Sequence, residues 1–217
     1  MRLSSILFAC LAPALALCTP SGEVDRRRLP PCGVENRPCR CPRGATFKNL
    51  TTFGVIGAPA VEVRNIMGKF FDVQYQGGLT PFETTGQDGV PGATRTFNFS
   101  GPAGYFQIRE VLGAYEEYPD GSFYSMMMQD PSTPVIPIPG GGTYMGWWGE
   151  IIGQQTLIAN ETVVAWTNWR CEVGFTFAAD ISHENGIRNA SAVIDAAGRH
   201  TGVDIDAFSI WYEVRQD

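Results

Sequence analysis

From Pro81 onward the chain runs in short apolar stretches punctuated by turn residues. Six of them have strand character: Pro81 to Thr85, Ala93 to Phe99, Tyr105 to Glu116, Ser122 to Gln129, Tyr144 to Ile158 and Thr162 to Phe177. The separators GQDGVPG, SGPAG, YPDG, DPSTPVIPIPGGG and IANE carry the Gly, Pro, Asp and Asn that turns require. Connections this short predict strands paired antiparallel in sequence order. Upstream, Thr46 to Phe53 reads as a first strand. Ala58 to Gly68 reads as a short helix, with Pro59 in its first turn and Val61, Val63, Ile66 and Met67 behind it, and a second short helical turn is expected over Lys69 to Asp72. Near the C-terminus the period lengthens: Ile187, Ala190, Ile194 and Ala197 form one helical stripe, Ser182 is placed to cap it, Glu184 sits in the first turn and Gly202 follows the run. This helix is expected to lay its apolar side on the concave face of the sheet. Asp204 to Asp217 fits either a continued helix or a strand, since Phe208, Ile210, Tyr212 and Val214 alternate.

Two charges interrupt the apolar faces. In a strand, alternate side chains share a face, so Arg95 lies with Phe97 and Phe99 while Thr94, Thr96 and Asn98 point the other way. Asn98 opens the sequon Asn98-Phe99-Ser100, which marks its face as the outer one and leaves Arg95 inside. In the next strand Glu110 shares a face with Phe106, Ile108, Leu112 and Ala114. Opposed residues on antiparallel neighbours have Cβ atoms about 5 Å apart, so Arg95 is expected to pair with Glu110. The pair either satisfies itself within the fold or presents the Arg95 fork to a ligand oxygen, with Glu110 orienting it.

Composition narrows the setting. Residues 1–18, MRLSSILFACLAPALALC, have the apolar core and small residues of a secretory signal and are too short to span a membrane. Residues 19–45 form an arm rich in Cys, Pro and Arg, in which Arg26-Arg27-Arg28 is either a processing site or an exposed turn, and residues 46–217 form one domain. Sequons at Asn49, Asn98, Asn160 and Asn189 agree with secretion or a secretory-pathway lumen. There, Cys32, Cys39, Cys41 and Cys171 favour disulfides that tether the arm; three pairings are open, and a retained Cys18 would leave one thiol over. A net charge of -6 without a basic cluster argues against nucleic acid as a partner.

The order of elements, with Ala58-Pro59-Ala60 opening the first helix, Pro91-Gly92-Ala93-Thr94-Arg95 at a strand start, Glu110-Val111-Leu112 in the next strand and Val164-Ala165-Trp166 in the last, resembles the START-like superfamily. That superfamily includes birch-pollen-allergen-like, polyketide cyclase/dehydratase and lipid-transport proteins. The resemblance implies an α+β helix-grip fold, in which a curved antiparallel β-sheet wraps a long C-terminal helix and two short N-terminal helices accompany it. It also implies an internal cavity for a small, largely apolar molecule. The functions that follow are a cofactor-independent cyclase, dehydratase or isomerase of secondary metabolism, a carrier of a lipid, sterol or pigment, or a secreted interaction protein that uses the arm or the tryptophan loop. The arm and the residues after Gly202 depart from the superfamily pattern.

Arg95, Tyr124 and Glu110 are the candidate catalytic residues, with Arg95 or Tyr124 stabilising oxyanion charge. Tyr124, Met126 and Met128 share one face, as core or as a pliable cavity wall. Phe97, Phe99, Leu112, Met126, Met128, Trp148 and Trp166 are the candidate ligand contacts. In PIPGGGTYMGWWGE, Trp147 and Trp148 either rim the cavity mouth or follow a hairpin turn with one ring in the core. Parity leaves Trp166 against Trp169 open, because Thr162 to Phe177 is apolar on both faces. His183-Glu184 lacks a second histidine four positions on, and His200 with Asp204 or Asp206 reads best as a solvated helix end. No nucleotide fingerprint, hydrolase elbow or metal cluster is evident, so no cofactor is expected.

Overall fold

The computed structural model describes residues 32, 39–101, 103–174 and 179–215. The signal segment and most of the arm, including Cys10, Cys18 and the three arginines, lie outside them. In chain order the elements are β1 (Thr46–Ile56), α1 (Ala60–Met67), β2 (Glu83–Thr85), β3 (Thr94–Gly101), β4 (Gly104–Glu117), β5 (Phe123–Gln129), β6 (Ile136–Pro137), β7 (Thr143–Gln155), β8 (Thr162–Val173), α2 (Ala179–Ala196) and β9 (Ile205–Arg215). All strand pairs are antiparallel, in the order β2-β3-β4-β5-β7-β8-β1-β9, with β6 attached to β7. This is the open curved sheet of the helix-grip fold, with α2 across its concave side.

Three expectations about the elements change. The turn over Lys69 to Asp72 is not helical: the amides of Phe70 and Phe71 donate to Asp88 Oδ1, at 2.8 and 3.1 Å, and the Phe70 carbonyl accepts from Arg95. Those side-chain partners take the backbone groups a helical turn would pair internally, so a single short helix, α1, precedes the meander, with Pro59 as its N-cap residue. Ser182 is not the cap of the long helix, which begins three residues earlier at Ala179. Ile187, Ala190 and Ile194 are buried as the stripe requires, whereas Ala197 lies past the helix end and is exposed. The C-terminal segment resolves as a strand: β9 pairs with β1 from Ile205 to Arg215.

Over β1, β5, β7 and β8 the sheet is buried on both faces. On the concave side Phe97, Leu112, Phe123, Met127, Ile151, Val164 and Trp166 pack with α1 and α2. On the convex side Cys39, Cys41 and Ala45 cover Phe47, Met145, Trp148, Trp169 and Cys171, with Met126 and Met128 at the margin. Disulfides Cys32–Cys39 and Cys41–Cys171 fix this cover, so the arm is stapled to the outside of the sheet.

Candidate functional site

Arg95 on β3 and Glu110 on β4 stand directly opposite each other. Arg95 Nε donates to Glu110 Oε2 at 2.7 Å, and both residues are at most 5% exposed. The guanidinium also donates to the Phe70 carbonyl and, at 3.2 Å, to Met127 Sδ. The guanidinium lies over the Phe70 and Phe97 rings, with Cζ 4.4 and 5.0 Å from their centroids. The pair and the two cation–π contacts together offset the cost of burying two charges.

This pair forms part of the wall of a cavity of about 150 Å³ between the concave face and α2. From β3 and β4 come Phe97, Phe99 and Ile108; from β5, Met127; from β7, Tyr144 and Trp147; from β8, Trp166 and Asn168; and from α2, Ser182 and His183, with Gln76 and Leu79 closing one side. A β-bulge on β7 lies between Tyr144, opposite Glu172, and Trp147, opposite Arg170. Three positions apart, Tyr144 and Trp147 would face opposite sides of a regular strand; the extra residue brings both to the cavity. Gly146 within the bulge has φ +139°, and a Cβ there would lie 2.3 Å from the Trp148 ring. Only glycine fits both conditions.

His183 is 5% exposed and stacks on the Trp166 indole, with centroids 4.0 Å apart and planes 9° from parallel. Burial pushes its imidazole down to about 3, reinforced by the Arg170 charge and opposed by the Trp166 backbone. Room for the indole beside α2 comes from Gly186, whose Cβ would meet Trp166 at 2.7 Å. Asn168 donates to the Trp148 carbonyl and accepts from Arg170, which pairs at 2.9 Å with the buried Glu172; Lys48 reaches the same carboxylate.

Of the candidate residues, Arg95, Glu110, Phe97, Phe99 and Trp166 meet at the cavity. Leu112 is in the core beside it. Tyr124, Met126 and Met128 lie on the convex side of β5, because Phe123, Ser125 and Met127 take the concave one. Phe, Tyr and Met side chains fall on both faces of SFYSMMMQ, so nothing in it distinguished them. Trp148 likewise faces outward, opposite Trp169, and Trp147 takes its place in the cavity. The PIPGGG loop is a hairpin joining β6 to β7, so the two tryptophans divide between the faces. The bulge that places Tyr144 and Trp147, and the helix phase that turns His183 inward, left no mark in the local sequence pattern. Ala114 leaves the inward face because a second bulge at Gly113 shifts the β4 register, and Tyr115 packs on the core instead. His200 bonds Asp204 at 2.8 Å in a clasp with Ser191 and Gly57, away from the cavity. Asn98 and Asn189 are exposed and Asn49 and Asn160 half-buried; the Asn160 and Asn189 amides donate to the Thr201 and Tyr75 carbonyls. Among the described residues no group of metal-ligating side chains occurs, and no helix is long and apolar enough to cross a membrane.

No curated protein sequence matches the chain. Among solved structures, norcoclaurine synthase from Thalictrum flavum with dopamine and hydroxybenzaldehyde aligns with a TM-score of 0.50 and 11% identity, over 76% of this chain and 94% of that one. A point mutant of the Thalictrum synthase with a transition-state analogue gives 0.50 and 9%, over 71% and 98%. The Zhui aromatase/cyclase from Streptomyces sp. R1128 gives 0.40 and 13%, over 70% and 87%. At such identities the likeness is one of fold. A family model described as START domain matches residues 47–217, all of the sheet but Thr46 and both helices, and the chain therefore belongs to the START-domain family.

Proposed function

We propose that this is a secreted protein that encloses one small, largely apolar metabolite and acts on it, without a redox cofactor, as a cyclase, dehydratase or isomerase. The supporting observation is the buried Arg95–Glu110 pair in the wall of an otherwise aromatic cavity. A guanidinium has five N–H donors, and three of its hydrogen bonds go to Glu110, Phe70 and Met127. Its remaining donors are held rigid in a low-dielectric site, the condition under which a fixed positive group stabilises developing oxyanion charge without reorganising. Glu110 orients the fork, and the rings hold the substrate in a reactive fold and exclude water. Disulfides accord with an oxidising compartment, and the exposed Asn98 is the sequon best placed for a glycan. Carriage without chemistry is the second reading, favoured by the three partners that already hold Arg95.

Native mass spectrometry of protein purified from its source, followed by release of the bound molecule, supplies the compound for turnover assays. Turnover above the spontaneous rate that Arg95→Gln reduces by about 100-fold or more, the scale of one lost oxyanion donor, supports catalysis. Stoichiometric binding without turnover supports carriage, and a protein that neither carries nor takes up any small molecule refutes both.

A further inference from the structure

We infer that Asn49 carries an N-linked glycan, and that this glycan covers the apolar strip that β9 exposes on the convex face. The inference rests on passage through a glycosylating compartment, the secretory part of the reading above, and adds what the sugar at this sequon does.

The strip comes from the register of β9 on β1. Phe47, Asn49, Thr51 and Phe53 share the convex face of β1, and Val214, Tyr212, Ile210 and Phe208 stand opposite them in that order. These four β9 side chains are 41–57% exposed. A row of large apolar groups on an edge strand invites association unless something covers it. Among the described residues the arm covers only one end of this face, at Phe47 and Trp169. The Tyr212 ring lies 5.9 Å from that of Phe47, and the Phe208 ring 5.8 Å from that of Phe53, so the strip continues the covered surface past the end of its cover.

Asn49 stands at that end. It opens the sequon Asn49-Leu50-Thr51 and lies between Trp169 on β8 and Tyr212 on β9, with Ile210 and Val214 on the diagonals. It is half-buried, and its amide makes no hydrogen bond to a described residue, whereas the Asn160 and Asn189 amides donate to the Thr201 and Tyr75 carbonyls. Asn98 is more exposed but sits on β3, at the far side of the sheet, where a glycan reaches none of the strip. The donor is a polyprenyl-diphosphate-linked oligosaccharide whose first sugar is N-acetylglucosamine. Asn49 Nδ2 bonds to the anomeric carbon of that sugar, the carbon–oxygen bond to the diphosphate breaks, the diphosphate leaves with the electron pair, and Nδ2 releases one proton. The C–H faces of the first sugars then pack on Tyr212 and its neighbours while their hydroxyls turn to water.

The test begins with the full chain from its own source. Amidase release of N-glycans in heavy-oxygen water converts each occupied asparagine to labelled aspartate, and peptide mass spectrometry should find the label at Asn49 in most molecules. Asn49→Gln and Thr51→Val, secreted from a eukaryotic host, each remove the sequon; Thr51→Val keeps the amide and loses only the hydroxyl that bonds Thr167. Both should give a severalfold rise in hydrophobic-dye fluorescence and larger species in sedimentation velocity, and Asn98→Gln neither. Label at other sequons but not at Asn49 overturns the inference while leaving the secretory reading in place. Label at no sequon overturns the inference and counts against the secretory reading as well. An occupied Asn49 whose loss changes neither dye binding nor sedimentation overturns the covering role. Should the two sequon variants not be secreted, enzymatic removal of the glycan from folded Asn98→Gln protein reads the same change.

Discussion

At the scale of single residues, the buried polar groups make the sharpest demands. Removing one member of the Arg95–Glu110 pair leaves the other charge in a site at most 5% exposed. Arg95→Ala should therefore cost about 3–5 kcal/mol in urea unfolding, whereas the double change Arg95→Met with Glu110→Leu should be close to neutral. A full penalty in the double variant would show that the pair is worth more than its apolar replacement. His183 links stability to pH. Its imidazole is held near 3 in the folded chain, against about 6.5 when unfolded. Between those values the unfolded chain binds a proton that the folded chain refuses, so stability falls as pH drops, by up to about 1.4 kcal/mol per unit, and the full value is present above about 6.5. The same urea series at pH 4, 5, 6 and 7 should show this slope in wild type and lose it in His183→Gln. Gly186→Ala is expected to destabilise despite alanine's helical advantage of about 1 kcal/mol. Its methyl would meet the Trp166 ring at 2.7 Å, and overpacking costs about 1–3 kcal/mol; a lowered Tm with an altered near-ultraviolet tryptophan signal would show it.

At the scale of elements, the meander, the first helix and the closing helix were legible because each carries one clear period. The Arg95–Glu110 contact was legible because β3 and β4 are joined by a short turn, Asn98 marked one face as outer, and the pairing holds register from Thr94 to Gly101. Legibility failed where strands are apolar on both sides. β5 and β7 lie between the α2-facing core and the disulfide-clamped arm, so alternation, which depends on one wet face, disappears. Tyr124 and Trp148 were assigned to the wrong side for that reason. The arm's contribution is measurable. Replacing Cys41 and Cys171 with serine should lower stability by about 2–5 kcal/mol and increase binding of a hydrophobic dye as Trp148 and Trp169 lose their cover. Unchanged dye binding would mean that the arm stays seated through packing alone.

At the scale of the whole molecule, a convex face covered over β1, β5, β7 and β8 and a small concave cavity leave the sheet a limited interior volume. A sterol should fail to bind in a cavity of about 150 Å³, and stoichiometric sterol binding would imply that α2 moves away from the sheet. The Cys41–Cys171 bond has a topological consequence here. It joins the residues just ahead of β1 to the end of β8, across 130 positions of sequence, and so closes a covalent hoop that contains α1 and every strand from β1 to β7. The last helix and β9 hang outside the hoop as a free tail. His183 therefore rides on the tail and Arg95 on the hoop, and drawing the tail off the sheet separates the two halves of the cavity's polar equipment without breaking a single covalent bond.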